Sequence, residues 1–119
     1  MKSKTFKELI IWQKAHLFVM SVYKITKSFP KEELFGLTSQ FRRAAVSIPA
    51  NIAEGYKKRG KAEKVRYLNI SEGSLEECKY YLILTRDLGY AVTEKENDLA
   101  EEVSKLLNAY SNKILASNS

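Results

Sequence analysis

Cysteine is all but missing from this chain. Cys78 stands alone, which excludes an internal disulfide and a cysteine-built zinc cluster and suits a reducing compartment. A lone free cysteine usually behaves as a small buried apolar residue, and that is the expectation for Cys78. Proline and glycine are scarce too, at two and five residues, so there is little material for a linker, and disorder is expected only at the ends. No segment repeats or has low complexity. Apolar runs are short: Leu17-Phe18-Val19-Met20 is typical, against roughly 20 residues for a membrane span and about 7–15 for a signal-peptide core. A cytoplasmic protein without membrane contact is expected. Catalytic equipment is equally thin. The one histidine, His16, falls within an apolar stripe, and there is no G-x-G-x-x-G, Walker loop, H-E-x-x-H or nucleophile elbow. Glu76 and Glu77 are adjacent in sequence, so on a helix they point to different faces and make no acid/base couple. These absences predict a protein that is not an enzyme and uses no metal and no cofactor.

What the chain does have is helical periodicity. With 119 residues, 45% of them apolar, it suits a single domain over residues 1–119, and no stretch alternates with period two as a strand would. Thr5-Phe6-Lys7-Glu8 predicts a capping box opening a first helix with two stripes. One is Leu9, Trp12, Val19 and Tyr23; the other is Ile11, Ala15, Phe18, Val22, Ile25 and Phe29. Phe29-Pro30 ends it, because proline restricts the preceding residue to extended backbone. The second helix is expected to enter between Lys31 and Thr38, to turn Leu34, Leu37, Phe41, Ala44, Ala45, Ile48 and Ile52 inward, and to fray from Gly55 to Gly60. The third runs from about Ala62 to Leu88 and stops at Gly89, the residue type that most readily adopts the left-handed conformation. The fourth opens with a second capping box, Thr93 to Glu96, and buries Leu99, Val103, Leu106, Leu107, Tyr110 and Ile114. Four such helices with short connections predict an all-α fold, an antiparallel up-down-up-down four-helix bundle. The second helix is expected to bend near Pro49, where proline removes a backbone hydrogen bond and crowds the Ala45 carbonyl.

The third helix has two faces. At 100° per residue, Leu68, Ser71, Leu75, Cys78 and Leu82 form one seam, and Tyr67, Ile70, Ser74, Glu77, Tyr81, Leu84 and Leu88 form another. Either the second stripe packs on another subunit, or a tilted helix buries both faces within one chain. On the second helix, Ser47, Asn51 and Glu54 recur at four and three residues. They make either a solvated edge or a polar network that serves the carbonyl freed by Pro49, the third helix or a neighbouring subunit. With Tyr67, Ser74, Glu77 and Tyr81 they are the candidate network and interface residues.

Charge is unevenly spread. Residues 1 to 60 carry twelve Lys or Arg against four Glu, a balance of +8, and residues 61 to 119 carry eight basic against ten acidic residues, a balance of −2. Lys57, Lys58, Arg59, Lys61, Lys64 and Arg66 cluster around one connection, with Glu63 opposing them and Tyr56 and Tyr67 nearby. Arg42 and Arg43 are candidates to extend the patch. Cations beside rings are what single-stranded RNA or DNA binding uses, the charges for phosphates and the rings for bases; a solvated helix junction is the plainer reading. A protein-interaction module is the competing function, and a hydrolase built on Asn51, Glu54 and Glu77 is a third.

Four stretches in order, IWQKAH, FPKEELFGLTSQFRRAAVSIPANIAEGY, YLNISEGSLEE and RDLGY, resemble a bacterial family of four-helix bundle proteins. These are encoded in the intervening sequences of 23S ribosomal RNA genes and are often labelled S23 ribosomal proteins. The resemblance covers about residues 6 to 90. A related branch comprises the accessory variability proteins of diversity-generating retroelements, which assist a reverse transcriptase. The resemblance implies a homopentameric ring with a basic surface proposed to bind RNA or DNA, and it makes a reverse transcriptase one candidate partner. The family's S-I-P-A-N-I-A-E-G motif falls on Ser47 to Gly55, and G-S-L-x-E on Gly73, Ser74, Leu75 and Glu77. The family brings no assigned catalytic residues. Cys78 stands where its members usually carry a larger apolar side chain.

Overall fold

Pro30, the Gly60 turn and Gly89 divide the chain into α1 (Ile10–Thr26), α2 (Ser39–Lys57), α3 (Lys61–Asp87) and α4 (Glu94–Ala116). The structure, a computed structural model, describes residues 4–117, and no strand occurs among them. Successive helices pack on one another and α4 closes against α1, with the most extensive contact between α2 and α3. The expected four-helix bundle forms, measuring 49 × 24 × 21 Å.

The α2–α3 contact is close because small residues alternate with large ones. Leu68, Ser71, Leu75, Cys78 and Leu82 of α3 are at most 1% exposed, and opposite them Phe41, Ala45, Ile48 and Ile52 of α2 are fully buried. Ser71 is accommodated because its hydroxyl donates to the Ile48 carbonyl at 2.9 Å; without that acceptor a buried hydroxyl would cost about 1–3 kcal/mol. Toward the end of α2, Gly55 allows a still closer approach. A Cβ on Gly55 would stand 3.0 Å from Tyr67 Cβ and 3.3 Å from the Lys64 carbonyl oxygen. Cys78 is a buried packing residue as expected. Burial, helped by the nearby Glu77 carboxylate, pushes its thiol up to about 12, which leaves almost no reactive thiolate at neutral pH.

The helix ends depart from expectation. Thr5 and Glu8 hold a separate 3-10 turn, Phe6–Glu8, rather than capping α1: the Thr5 hydroxyl accepts from Lys7 N–H (3.1 Å) and the Glu8 carboxylate from Lys4 N–H (2.8 Å). Leu9 is then extended (φ −73°, ψ 127°), and α1 starts at Ile10. The second capping box does not form either. The Thr93 side chain makes no cap bond, and Glu96, 5% exposed, accepts instead from the Ser21 hydroxyl of α1. Its place on the inward seam of α4 gives Glu96 a partner across the bundle rather than at its own N-terminus. That seam is Glu96, Ala100, Val103, Leu107 and Ser111, which moves Leu99, Leu106, Tyr110 and Ile114 from the expected centre of the buried face to its margin.

Between α1 and α2 the chain makes a 3-10 turn, Lys31–Glu33, and a π-type turn, Leu34–Thr38, with non-helical backbone at Gly36 (φ −113°, ψ −111°). Leu34 is consequently 52% exposed instead of facing inward. Backbone outside the helical range occurs at Gly36, before α2 begins, and Pro49 lies buried inside α2. Glu33 holds this turn. Its carboxylate accepts from Leu37 N–H (3.3 Å) and from the Tyr90 hydroxyl (2.8 Å), and the Phe29 ring packs on Tyr90 at 5.3 Å. The reversal after α3 that delivers Tyr90 depends on Gly89 at φ +73°, where a side chain would be strained.

Two glycine substitutions should separate packing from propensity. Gly55→Ala is expected to destabilise by about 1–3 kcal/mol through overpacking, although alanine is the better helix former. Gly73→Ala, with nothing within 4 Å of the added methyl, should stabilise by roughly 0.5–1 kcal/mol. Urea unfolding of both variants tests this; shifts of the same sign would refute a close approach at Gly55.

Candidate nucleic-acid interface

Antiparallel packing brings the end of α2, the start of α3, the end of α4 and the entry to α1 to one pole, and the basic run of the sequence lands there. Its cations do different work. Lys61 and Lys64 cap helices: the Lys61 ammonium donates to the carbonyls of Ser117 and Leu115 (3.4 Å to the latter) at the end of α4, and Lys64 to those of Tyr56 (2.8 Å) and Gly55 (3.4 Å) at the end of α2. The last carbonyls of a helix lack intrahelical donors and carry its partial negative charge, so an ammonium is well placed there. Partial burial holds the Lys64 ammonium below its ordinary pKa. Arg66 pairs with Glu63 at 2.7 Å; their hydrogen bond lowers the Glu63 carboxyl and raises the Arg66 guanidinium.

Arg66 and Lys58 also share a ring. The guanidinium carbon lies 4.6 Å and the Lys58 ammonium 5.1 Å from the Tyr67 centroid, both within cation–π range. Lys58 is 3.8 Å from Glu54, which is exposed. Lys57 and Arg59 make no ion pair or hydrogen bond among the described residues, so their charges are available to a ligand.

Arg42 and Arg43 do not join this cluster. They precede Lys57 on α2 by some 14–15 residues, about 21–23 Å along a helix axis. Arg42 is fixed on α1 instead: Nε donates to Thr26 Oγ1 at 2.8 Å, Nη2 to the Tyr23 carbonyl at 3.4 Å, and the guanidinium lies 4.6 Å from the Tyr23 ring centroid. Arg43 borders a separate groove with Phe35, Ser47, Ser74 and Glu77.

The polar candidates divide similarly. Asn51 Nδ2 donates to the Ser47 carbonyl (2.8 Å) and hydroxyl (3.0 Å), and the Ser74 hydroxyl donates to Ser47 Oγ at 2.8 Å. Asn51 thus serves Ser47, not the Ala45 carbonyl, and the three residues stitch α2 to α3. Farther along α3, the Tyr81 hydroxyl donates to the Glu77 carboxylate and lies 3.2 Å from Gln40 Oε1. Burial first, and that carboxylate second, push the Tyr81 phenol up to about 12. Tyr67 and Glu54 stand outside both groups. Of the second stripe, Tyr81 is buried within the chain, while Ile70 and Leu88 remain 40% and 48% exposed.

This bundle can now be set beside known proteins. A family model described as 23S rRNA-intervening sequence protein matches residues 7–112. The chain belongs to that family. The match extends beyond the motif-bearing stretches into α4, whose sequence carries no distinctive motif. Among solved structures, a protein with unknown function from the S23 ribosomal protein family of Bacteroides thetaiotaomicron is similar, with a TM-score of 0.78 and 26% identity, covering 87% of this chain and 96% of that one. No curated protein matches.

In this bundle the basic pole includes residues that linear spacing does not group. Lys4, near one end of the chain, and Tyr110 and Lys113, near the other, line one groove with Tyr56, Lys57 and Lys64. The signal was topological: in an up-down-up-down bundle the first helix begins where the second and fourth end. Among the described residues there is no group of three or more His, Cys, Asp or Glu that could hold a metal ion, and no helix is long and apolar enough to cross a membrane.

Substituting methionine for each lysine should distinguish cap from free cation. Lys61→Met and Lys64→Met are each expected to lower stability by about 1 kcal/mol through lost carbonyl hydrogen bonds, and Lys57→Met to change it by less than about 0.5 kcal/mol. Thermal unfolding measures the difference; equal losses at all three positions would remove the distinction.

Proposed function

We propose that this protein is a non-enzymatic accessory factor that binds single-stranded RNA at its basic pole and works as a homo-oligomer. The observation that carries this reading is that Lys57 and Arg59, unpaired among the described residues, flank Lys58, which with Arg66 lies over the Tyr67 ring. Free cations meet phosphates, and rings already set among cations suit unstacked bases. Membership in the 23S rRNA-intervening sequence family favours RNA over DNA, and the +8 balance of residues 1 to 60 favours a polyanion of either kind. Self-association draws on the outer side of α3, where Ile70 and Leu88 are exposed and Phe35, 92% exposed, borders the groove at Ser74 and Glu77. A second copy, in a pentameric ring by resemblance to the family, would cover that surface and repeat the basic pole around the ring. The cytoplasm is the compartment this role requires.

The same exposed apolar residues favour a second reading, a scaffold that docks a partner protein such as a reverse transcriptase. Salt dependence separates the two. Binding of labelled single-stranded RNA, duplex RNA and single-stranded DNA should weaken with salt, with a log–log slope of about −0.7 per phosphate neutralised on a single strand. Lys57→Gln combined with Arg59→Gln should flatten that slope by roughly 1.4, two phosphates' worth. An intact assembly that binds none of the three would support the docking reading instead.

Assembly itself is tested by light scattering. The wild-type mass should be a multiple of 13.6 kDa, and Ile70→Asp, at an exposed position, should reduce it without unfolding the chain. A wild-type protein that stays at the single-chain mass at micromolar concentration would contradict the oligomer.

A further inference from the structure

The basic pole also holds a groove that shares only Lys57 with the cations of the reading above. It has a volume of about 970 Å³ and runs between the entry to α1 and the ends of α2 and α4. Its floor is apolar, with Leu9, Ile11 and Leu106 beside the rings of Tyr56 and Tyr110, and lysines 4, 57, 64 and 113 stand around it. This is at the upper end of the roughly 300–1,000 Å³ typical of small-ligand sites. Lys64 is already committed to the carbonyls of Gly55 and Tyr56, with its ammonium 5.7 Å from the Tyr56 ring centroid. The side chains of Lys4, Lys57 and Lys113 have no hydrogen-bonding or ionic partner among the described residues. One carboxylate, Glu8, also borders the groove, and it accepts from the Lys4 backbone N–H at 2.8 Å. Uncommitted cations therefore surround an apolar, aromatic floor.

We propose that this groove receives an unpaired nucleotide of single-stranded RNA, the base against Tyr110 and the apolar floor and the flanking phosphates against Lys57, Lys113 and Lys4. The proposal rests on the RNA-binding reading and adds a seat for a base. Two features argue for a splayed base rather than phosphate contact alone. Apolar surface does nothing for a phosphate, and the cations sit around the floor, where a backbone flanking an inserted base would pass. A base paired in a duplex cannot leave its stack to enter without an unpairing cost, so the groove discriminates single from double strands. Lys64 acts indirectly: by holding the end of α2 it positions Tyr56 and Lys57.

The test compares binding of a uridine-rich single strand with binding of an RNA duplex of the same length, using the full chain in its native assembly. Tyr110→Leu, which keeps an apolar side chain but removes the ring, is expected to weaken single-strand binding roughly ten-fold and to leave duplex binding unchanged. Tyr110→Phe should bind like the wild type, and Lys113→Gln should weaken single-strand binding and reduce its salt slope by about 0.7. Photo-crosslinking of 4-thiouridine placed within the strand should label the peptides containing Tyr56 and Tyr110. Far-ultraviolet circular dichroism and light scattering establish that each variant is folded and assembled. If Tyr110→Leu and Lys113→Gln bind like the wild type while Lys57→Gln with Arg59→Gln bind more weakly, the groove proposal fails and the RNA-binding reading stands. If the wild type binds no RNA, both fail. Should Tyr110→Leu prove unfolded, crosslinking on the wild type alone decides, and labels confined to the Lys58–Tyr67 segment would overturn the groove.

Discussion

Where α2 meets α3, Ala44, Ala45, Gly55, Ser71 and Cys78 stand in place of larger side chains, and the two backbones approach until Ser71 donates to the Ile48 carbonyl. Helices separated by ordinary side chains lie about 8–10 Å apart. Small residues permit the lower end of that range and turn side-chain contacts into side-chain-to-backbone ones. The bond from Ser71 favours this rotation and register together, because a shift of one residue on either helix would lose the bond across the seam and leave the hydroxyl only a carbonyl of its own helix, the acceptor that buried Thr26 and Thr85 use. Ser47, Asn51 and Ser74 repeat the arrangement at the edge of the same seam. α1 and α4 then pack around this pair, with Glu96 reaching Ser21 and Lys14 lying 3.3 Å from Glu102.

The basic pole follows from this contact. Gly55 brings the end of α2 against the start of α3, which sets Tyr67 beneath Lys58 and Arg66 and puts the Lys64 ammonium on the carbonyls of Gly55 and Tyr56. A positive charge at a helix C-terminus stabilises the helix, so part of the basic run has a structural reason to exist. The remainder has none that the fold supplies. Lys57 and Arg59 cap nothing and pair with nothing among the described residues, and mutually repelling cations at one pole weaken a compact state. That unrepaid repulsion is the physical argument for an anionic partner.

Some of this was readable from spacing. The α3 seam from Leu68 to Leu82, the stop at Gly89 and the burial of Cys78 follow from a 3.6-residue period and from the conformational freedom of glycine, both local properties. The capping boxes were not readable in the same way. Glu8 and Glu96 have the right spacing from Thr5 and Thr93, yet Glu8 bonds Lys4 and Glu96 bonds Ser21 on another helix, since a carboxylate takes whichever donor the packing brings within reach. Leu34 was misplaced because a π-type turn with its break at Gly36 changes the angular position of every residue before it. Arg42 and Arg43, candidates to extend the patch, lie one helix length before Lys57 in the sequence, and because α2 runs unbroken between them they stand at its opposite end in space.

The sequence by itself determined the class and the parts: four amphipathic helices, their breaks, an asymmetric charge and the motifs of its family. Periodicity and turn chemistry act over a few residues, and so they survive without knowledge of the whole. Only the tertiary structure decided which cations are caps and which are free, that Lys4 and Lys113 share a groove with Tyr56 and Tyr110, and that Asn51 serves Ser47. Those assignments depend on distances between residues far apart in the chain, and such distances are set when helices settle against one another around the α2–α3 seam.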